Sequence, residues 1–280
     1  MMSDVTKVRK TLTLSTQFWL ISLIAAQIVF VLYLILGYGL STVENQLEAW
    51  NKFNDTAFKD GDTLGNLAYG MHVLLAIVMI VGGTLQLLPQ IRQRFIVFHK
   101  FNGRVFVVLA CTISLAGMYL ITSRGTVGDL FMHSMTFFSG LVVLLASFLA
   151  VKAARSRNIK LHSEWAIRLF LAANGVLFFR LIIFAWFMVF GALGVNTDDF
   201  TGPTVYAVSV SAYLLPLVIF EWYRRLHRQL SDTSKLTSVQ SNIMLKTYAI
   251  SICLILIGMI FLIGLFGITL GSWYPSLFTA

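Results

Sequence analysis

Apolar residues along this chain gather into seven long blocks, at 18–40, 68–88, 105–122, 130–151, 165–190, 205–220 and 247–273. Each reaches or approaches the roughly 20 residues that a helix needs to cross the hydrocarbon core of a bilayer. The pattern therefore predicts an all-α bundle of seven transmembrane helices. The third and sixth blocks are the shortest, and the sixth carries Pro216, which a packed membrane helix tolerates because neighbouring groups take over the freed backbone carbonyl. The apolar core of the first block is longer than the roughly 7–15 residues of a leader peptide, and no A-x-A-like cleavage site follows it, so it reads as a helix. The longest connections, 41–67 and 221–246, are too short and too polar to bury a core of their own. The whole of 1–280 is thus expected to form a single transmembrane domain, with its chemistry in the bundle or at its rims.

Composition agrees with the pattern. Of 280 residues 58% are hydrophobic and 12% charged, and the mean hydropathy is +0.81, values of a multi-pass membrane protein. The net charge of +9 is informative only loop by loop. On the side of the N-terminus lie sixteen basic residues: Lys7, Arg9 and Lys10, then Arg92, Arg94, Lys100 and Arg104, then Lys152, Arg155, Arg157 and Lys160, then Arg224, Arg225, Arg228, Lys235 and Lys246. The other side carries three, Lys52, Lys59 and Arg124, among acids such as Glu44, Glu48, Asp60, Asp62, Asp198 and Asp199. Lysine and arginine favour cytoplasmic loops, so the N-terminus is expected inside and the C-terminus outside. A reporter fused after the last block should therefore report a non-cytoplasmic C-terminus, and a cytoplasmic signal there would contradict seven spans. The basic residues are split among short membrane-flanking loops, which excludes a nucleic-acid face. The surrounding partner is membrane lipid. Cys111 and Cys253 lie within blocks and read as small buried hydrophobes rather than a disulfide or a thiolate site.

Four of the five histidines fall at block ends. His72 lies in the second block, His99 just before the third, His133 at the start of the fourth and His162 just before the fifth. Because successive spans alternate in direction, His72 and His133 belong to one membrane face, and His99 and His162 to the other. Neutral imidazole is a good ligand for iron, and two histidines from facing helices are one way to hold a b-type haem. Met79, Gly83 and Gln86 share the helix face of His72, and Phe137 and Gly140 that of His133. A histidine near a helix end also has a plainer role, as an interfacial group bonded to water or capping a carbonyl. His227, in the basic run "YRRLHRQL", reads as a solvated residue.

Two stretches carry a family likeness. "HKFNGR" (99–104) and "HSEWAIR" (162–168), preceded by "HVLLAIVMIVGGTLQ" from His72, resemble the signatures of an uncharacterised bacterial membrane-protein family, domain-of-unknown-function family 2306. The resemblance covers about 68–190, includes an arginine at the place of Arg180, and implies a polytopic helical bundle in the bacterial inner membrane. It implies no activity, and His133 is outside its pattern. Arg104, which closes the first motif, joins Arg180 as a candidate cofactor-binding residue. The alternating histidines are also similar to those of the transmembrane cytochrome b-561 family. That likeness implies one or two haems b passing electrons across the membrane, with His72, His133, His99 and His162 as metal ligands.

Arg180 stands deep inside the fifth block. None of the twelve acids lies at its depth, and a central unpaired arginine costs about 2.5–3.5 kcal/mol, so it is expected to face a cavity or an anion. Ten residues separate it from the outer end of the block, about 15 Å of helix, more than its side chain comfortably spans by snorkelling. A haem propionate, a quinone oxygen or another anion would suit its planar fork. Arg168 is expected to pair with Glu164 one turn earlier. Two functions remain open. One is haem-based electron transfer with a quinone or other redox partner. The other is a non-redox small-molecule permease or assembly factor. No catalytic residues can be assigned.

Overall fold

The computed structural model describes residues 2–125, 127–231 and 240–273; Lys235 of the basic count lies outside them. Among the described residues the chain is helical and without strands. α1 (Met2–Leu34) runs through a π-helical turn (Ile35–Gly39) into α2 (Leu40–Val43). A loop containing a 3-10 turn (Leu47–Lys52) leads to α3 (Thr63–Leu87), the short α4 (Pro89–Arg94), α5 (Ile96–Arg124) and α6 (Leu130–Arg155). α7 (Ile159–Ala173), α8 (Gly175–Phe190), α9 (Pro203–Ser231) and α10 (Gln240–Trp273) complete the bundle.

Most helices extend past the apolar blocks because their polar ends keep the helical ladder and find caps or ionic partners. The Asp62 carboxylate accepts from Gly65 N at 2.9 Å to start α3. That of Asp129 accepts from Phe131 N and Met132 N to start α6, and the Asn158 side chain accepts from Leu161 N to start α7. Each such cap contributes about 0.5–2 kcal/mol by satisfying an otherwise unpaired amide. Among the described residues six helical units are long and apolar enough to span a bilayer, and α7 with α8, bent by 49°, makes a seventh where the pair is counted as one span.

That bend corrects the continuous fifth span expected from 165–190. Its cause is Asn174, whose amide Nδ2 donates to Phe170 O at 2.8 Å, while its backbone N–H is shared between Phe170 O and Leu171 O. A short polar side chain that bonds its own backbone competes with the regular ladder. Gln27 Nε2 of α1 donates to Asn174 Oδ1 at 2.8 Å and Thr84 Oγ1 of α3 donates to Gln27 Oε1 at 2.6 Å, so the break is tied to two other helices. The dipeptide Asn174–Gly175 marked the place in the sequence, as such pairs mark turns.

α1 packs against α10 and α3, α3 against α5, α5 against α6, α6 against α7, and α8 against α9 and α10. Leu23, Leu169, Phe178, Leu181 and Ile250 are fully buried between them. Val108, Phe148, Val218 and Ile252 are exposed on the outside, where hydrocarbon and not water is their natural solvent.

The two ends of the bundle differ. At one, the lid end, residues 44–62 fold over the helices, with Trp50 buried against Tyr38 and Tyr69. At the other, the basic end, an ionic network joins α7 to α9. Glu164 pairs with Arg224 at 2.9 Å and with Arg228, and Glu221 pairs with Arg168 at 2.8 Å and with Arg224. The expected Glu164–Arg168 pair within α7 is thus replaced by pairs between helices. Arg168 lies over the rings of Trp165 and Phe220, at 4.7 and 5.4 Å, which turns its fork toward Glu221 on α9.

Candidate functional site

Between the lid and the middle of the bundle lies a cavity of about 650 Å³. Its wall is mostly apolar, with Phe30, Met79, Ile80, Ile113, Val143 and Leu177 among the contributors. Its polar groups come from several sides: Tyr38 from the turn after α1, Tyr69 and His72 from α3, Thr136 from α6, Asn174 and Arg180 from the bent α7–α8 pair, and Tyr213 from α9. Among the described residues no aspartate or glutamate lines it.

Arg180 occupies the second turn of α8 and is half-buried. Among the described residues its guanidinium makes no ion pair; it rests 5.5 Å over the Phe30 ring. A cation–π contact of about 0.5–2 kcal/mol eases desolvation without neutralising the charge. Tyr38, Tyr69, His72 and Tyr213 line the same cavity, so one cation shares it with four groups able to hydrogen-bond.

His72 is fixed in the same cavity. Its Nδ1 lies 2.9 Å from Ile113 O of α5, to which it donates, leaving Nε2 for another partner. Its ring lies flat against Gly117 of α5: a Cβ there would stand 2.9 Å from His72 Cε1, so any side chain at 117 would push the ring aside. The tyrosines are ordered in pairs. Tyr38 and Tyr69 hydroxyls are 3.3 Å apart, and Tyr213 OH is 3.1 Å from Thr136 Oγ1.

Polar contacts flank the cavity on both sides. On the basic side stands the Thr84–Gln27–Asn174 chain, with Gln27 2% exposed. On the lid side stands Arg124, at the end of α5, its side chain 3% exposed. Arg124 donates from Nε and Nη2 to Asp62 Oδ2 at 2.9 and 2.7 Å, from Nη1 to the carbonyls of Thr56 and Ala57, and from Nη2 to Asn66 Oδ1. Unlike Arg180, it has a carboxylate of its own.

The Gly65 amide and the Arg124 fork hold the Asp62 carboxyl below the usual carboxylate range. A carboxyl depressed by folding contributes stability that is present above its unfolded value of about 3.9 and is lost as pH falls through the folded value. The lid should therefore loosen only below about pH 4, seen as faster hydrogen exchange over 44–62. Asp62→Asn should bring that faster exchange to neutral pH and remove the acid transition. Unchanged exchange in this variant would show that Arg124 does not fasten the lid.

The other sequence candidates lie elsewhere. His133 is not among the cavity-lining residues and stands near the rim, 3.8 Å from where a Cβ of Gly125 would be. His99 and His162 are both at the basic end, in the first turns of α5 and α7. His162 Nδ1 donates to Ala150 O at 3.0 Å, whereas His99 Nδ1 is buried without a hydrogen-bond partner among the described residues. Arg104 is exposed and outside the cavity. Cys111 and Cys253 are free thiols. Among the described residues no three histidine, cysteine or acidic side chains converge as a metal site. The structure thus places His99 and His162 at the same end of the bundle, and does not bring His133 to the cavity that holds His72. Sequence reasoning missed the three tyrosines and Arg124, since an aromatic in an apolar block reads as core until its hydroxyl is located.

These features define a multi-pass helical membrane protein with a mostly apolar cavity, carrying a few polar groups, beside a broken helix. The chain belongs to the family described as Predicted membrane protein (DUF2306), which matches residues 69–224. That match spans the break, Arg180 and most of the cavity wall. No curated protein and no solved structure matches the chain.

Proposed function

We propose that this protein binds a small, negatively charged organic molecule inside the membrane and belongs to the permease class. The observation that carries this reading is Arg180, a cation without an ionic partner turned to a cavity without acids. A charge is retained at that depth only where something repays its desolvation, and such residues mark ligand pathways. The cavity volume falls in the roughly 300–1,000 Å³ of small-molecule sites, and its lining has their usual character, apolar with a few convergent polar groups. A broken helix beside the site is a feature by which secondary transporters build their substrate sites. Arg180 anchors, Tyr38, Tyr69, Tyr213 and His72 supply orienting hydrogen bonds, and Arg124 fastens the lid.

The test is solvent extraction of the purified protein followed by negative-ion mass spectrometry. An anionic compound should accompany the wild type in near-equal amount and be depleted at least tenfold from Arg180→Gln. Equal recovery from both proteins would contradict the reading.

Haem-based electron transfer is the second reading. A haem ligated by two histidines needs both at one site, and the cavity offers His72 alone. What favours this reading is the other pair: the unpartnered Nδ1 of His99, with His162 at the same end of the bundle. A Soret band lost in both His99→Ala and His162→Ala would support it, and a colourless protein would dismiss it.

A further inference from the structure

We infer that the molecule held by Arg180 is a singly charged amphiphile with a carboxylate head and an apolar body. The inference rests on the reading of the cavity as a binding site and adds the chemistry of its occupant.

The first argument is a count of charge. Two arginines line the cavity. Arg124 is matched by Asp62, so its charge is compensated and its donors are used on the lid. Arg180 is not matched, and no acid stands in the wall. Among the described residues the site therefore presents one uncompensated positive charge in a mostly apolar surround. A neutral ligand leaves that charge uncompensated, and a dianion introduces a second charge that nothing balances; both leave a desolvated ion alone, which is costly. One negative charge closes the balance.

The second argument is the shape of the donors. A guanidinium is a planar fork that meets a carboxylate with two parallel hydrogen bonds. The hydroxyl-bearing side chains of Tyr38, Tyr69 and Tyr213 line the same cavity and can donate to the remaining lone pairs. These are neutral donors, which add hydrogen bonds without raising the charge to be matched.

The third argument is the rest of the wall. Around these polar groups, Met79, Ile80, Ile113, Val143 and Leu177 offer no polar side-chain atoms except a thioether. A small hydrophilic acid would leave that surface against water, whereas an apolar body of several methylenes gains about 0.8 kcal/mol for each one buried. Head and body are therefore both specified.

The experiment uses the full-length protein in nanodiscs of uncharged lipid at about pH 8, well above ordinary carboxyl values, with tritiated palmitate as probe and empty discs as blank. Saturable binding of about one palmitate per chain is expected. Arg180→Gln should weaken it at least tenfold and Arg180→Lys by less. Methyl palmitate, the same body without charge, should not compete. Acetate, the head without body, should not compete either. Hexadecyl phosphate, largely dianionic because its second pKa is about 6, should compete at least tenfold more weakly than unlabelled palmitate. Equal competition by methyl palmitate would overturn the charge argument, and equal competition by hexadecyl phosphate the single-charge argument. Competition by acetate would overturn the amphiphile. Binding unaffected by Arg180→Gln would overturn the site. If palmitate fails to bind while extraction still yields an Arg180-dependent anion, the carboxylate class is wrong and the binding function stands. If neither is seen, both fall.

Discussion

Arg180→Leu should insert and fold at least as well as the wild type and yet lose its ligand. Leucine favours the bilayer centre by about 0.3–0.6 kcal/mol where arginine costs about 2.5–3.5. The guanidinium is stabilised by the Phe30 ring alone among the described residues, so its removal breaks no ion pair. Thermal stability measured without ligand should therefore rise or hold, while retained ligand falls at least tenfold. Stability and function moving in opposite directions is expected of a residue kept for binding at some cost to the fold. Arg180→Lys should keep the charge but lose the fork, giving intermediate retention. If Arg180→Leu destabilises the protein instead, the arginine is a structural element and not an anchor.

A second large effect is expected one residue further on. Leu181 is fully buried, and its backbone carbonyl touches Gly264 of α10 so closely that a Cβ at 264 would overlap it. Backbone cannot swing away as a side chain can, so Gly264→Val must push α10 off α8. Small residues that let membrane helices approach are central to packing where no hydrophobic driving force exists between helices. Overpacking of this kind costs about 1–3 kcal/mol. The displaced backbone is that of Leu181, adjacent to Arg180, so Gly264→Val should lower both thermal stability and ligand retention. The contrast with Arg180→Leu separates an effect on position from an effect on charge. Wild-type stability in Gly264→Val would mean that the α8–α10 contact is looser than described.

The seven blocks of the sequence and the helical bundle correspond closely, because membrane helices are dictated by an apolar run long enough to span hydrocarbon, which a window of residues reveals. Helix ends were less legible. α5 begins at Ile96 and α7 at Ile159, so His99 and His162 are inside helices, although the apolar blocks placed them outside. Their surroundings explain it: Gln86 Nε2 donates to His99 O at 3.0 Å, and Asn158 caps α7, contacts that hydropathy does not register. The isolation of Arg180 could be anticipated, since all acids can be assigned to loops. The rest of the cavity could not. Tyr38, Tyr69 and Tyr213 are separated by up to 175 residues in sequence, and only the packing of α1, α3 and α9 around α8 puts them in one cavity with a guanidinium. The pairing of Arg168 with Glu221 instead of Glu164 has the same origin, because a partner on another helix is invisible to a local rule.

Native mass spectrometry of the intact protein released from nanodiscs tests the central claim most directly, because it reads ligand, stoichiometry and dependence on Arg180 in one spectrum. The account predicts a wild-type peak carrying one small organic adduct per chain, and an Arg180→Leu peak at the bare mass from an equally well folded sample. A wild type that flies bare, or an adduct that Arg180→Leu retains in full, would contradict it.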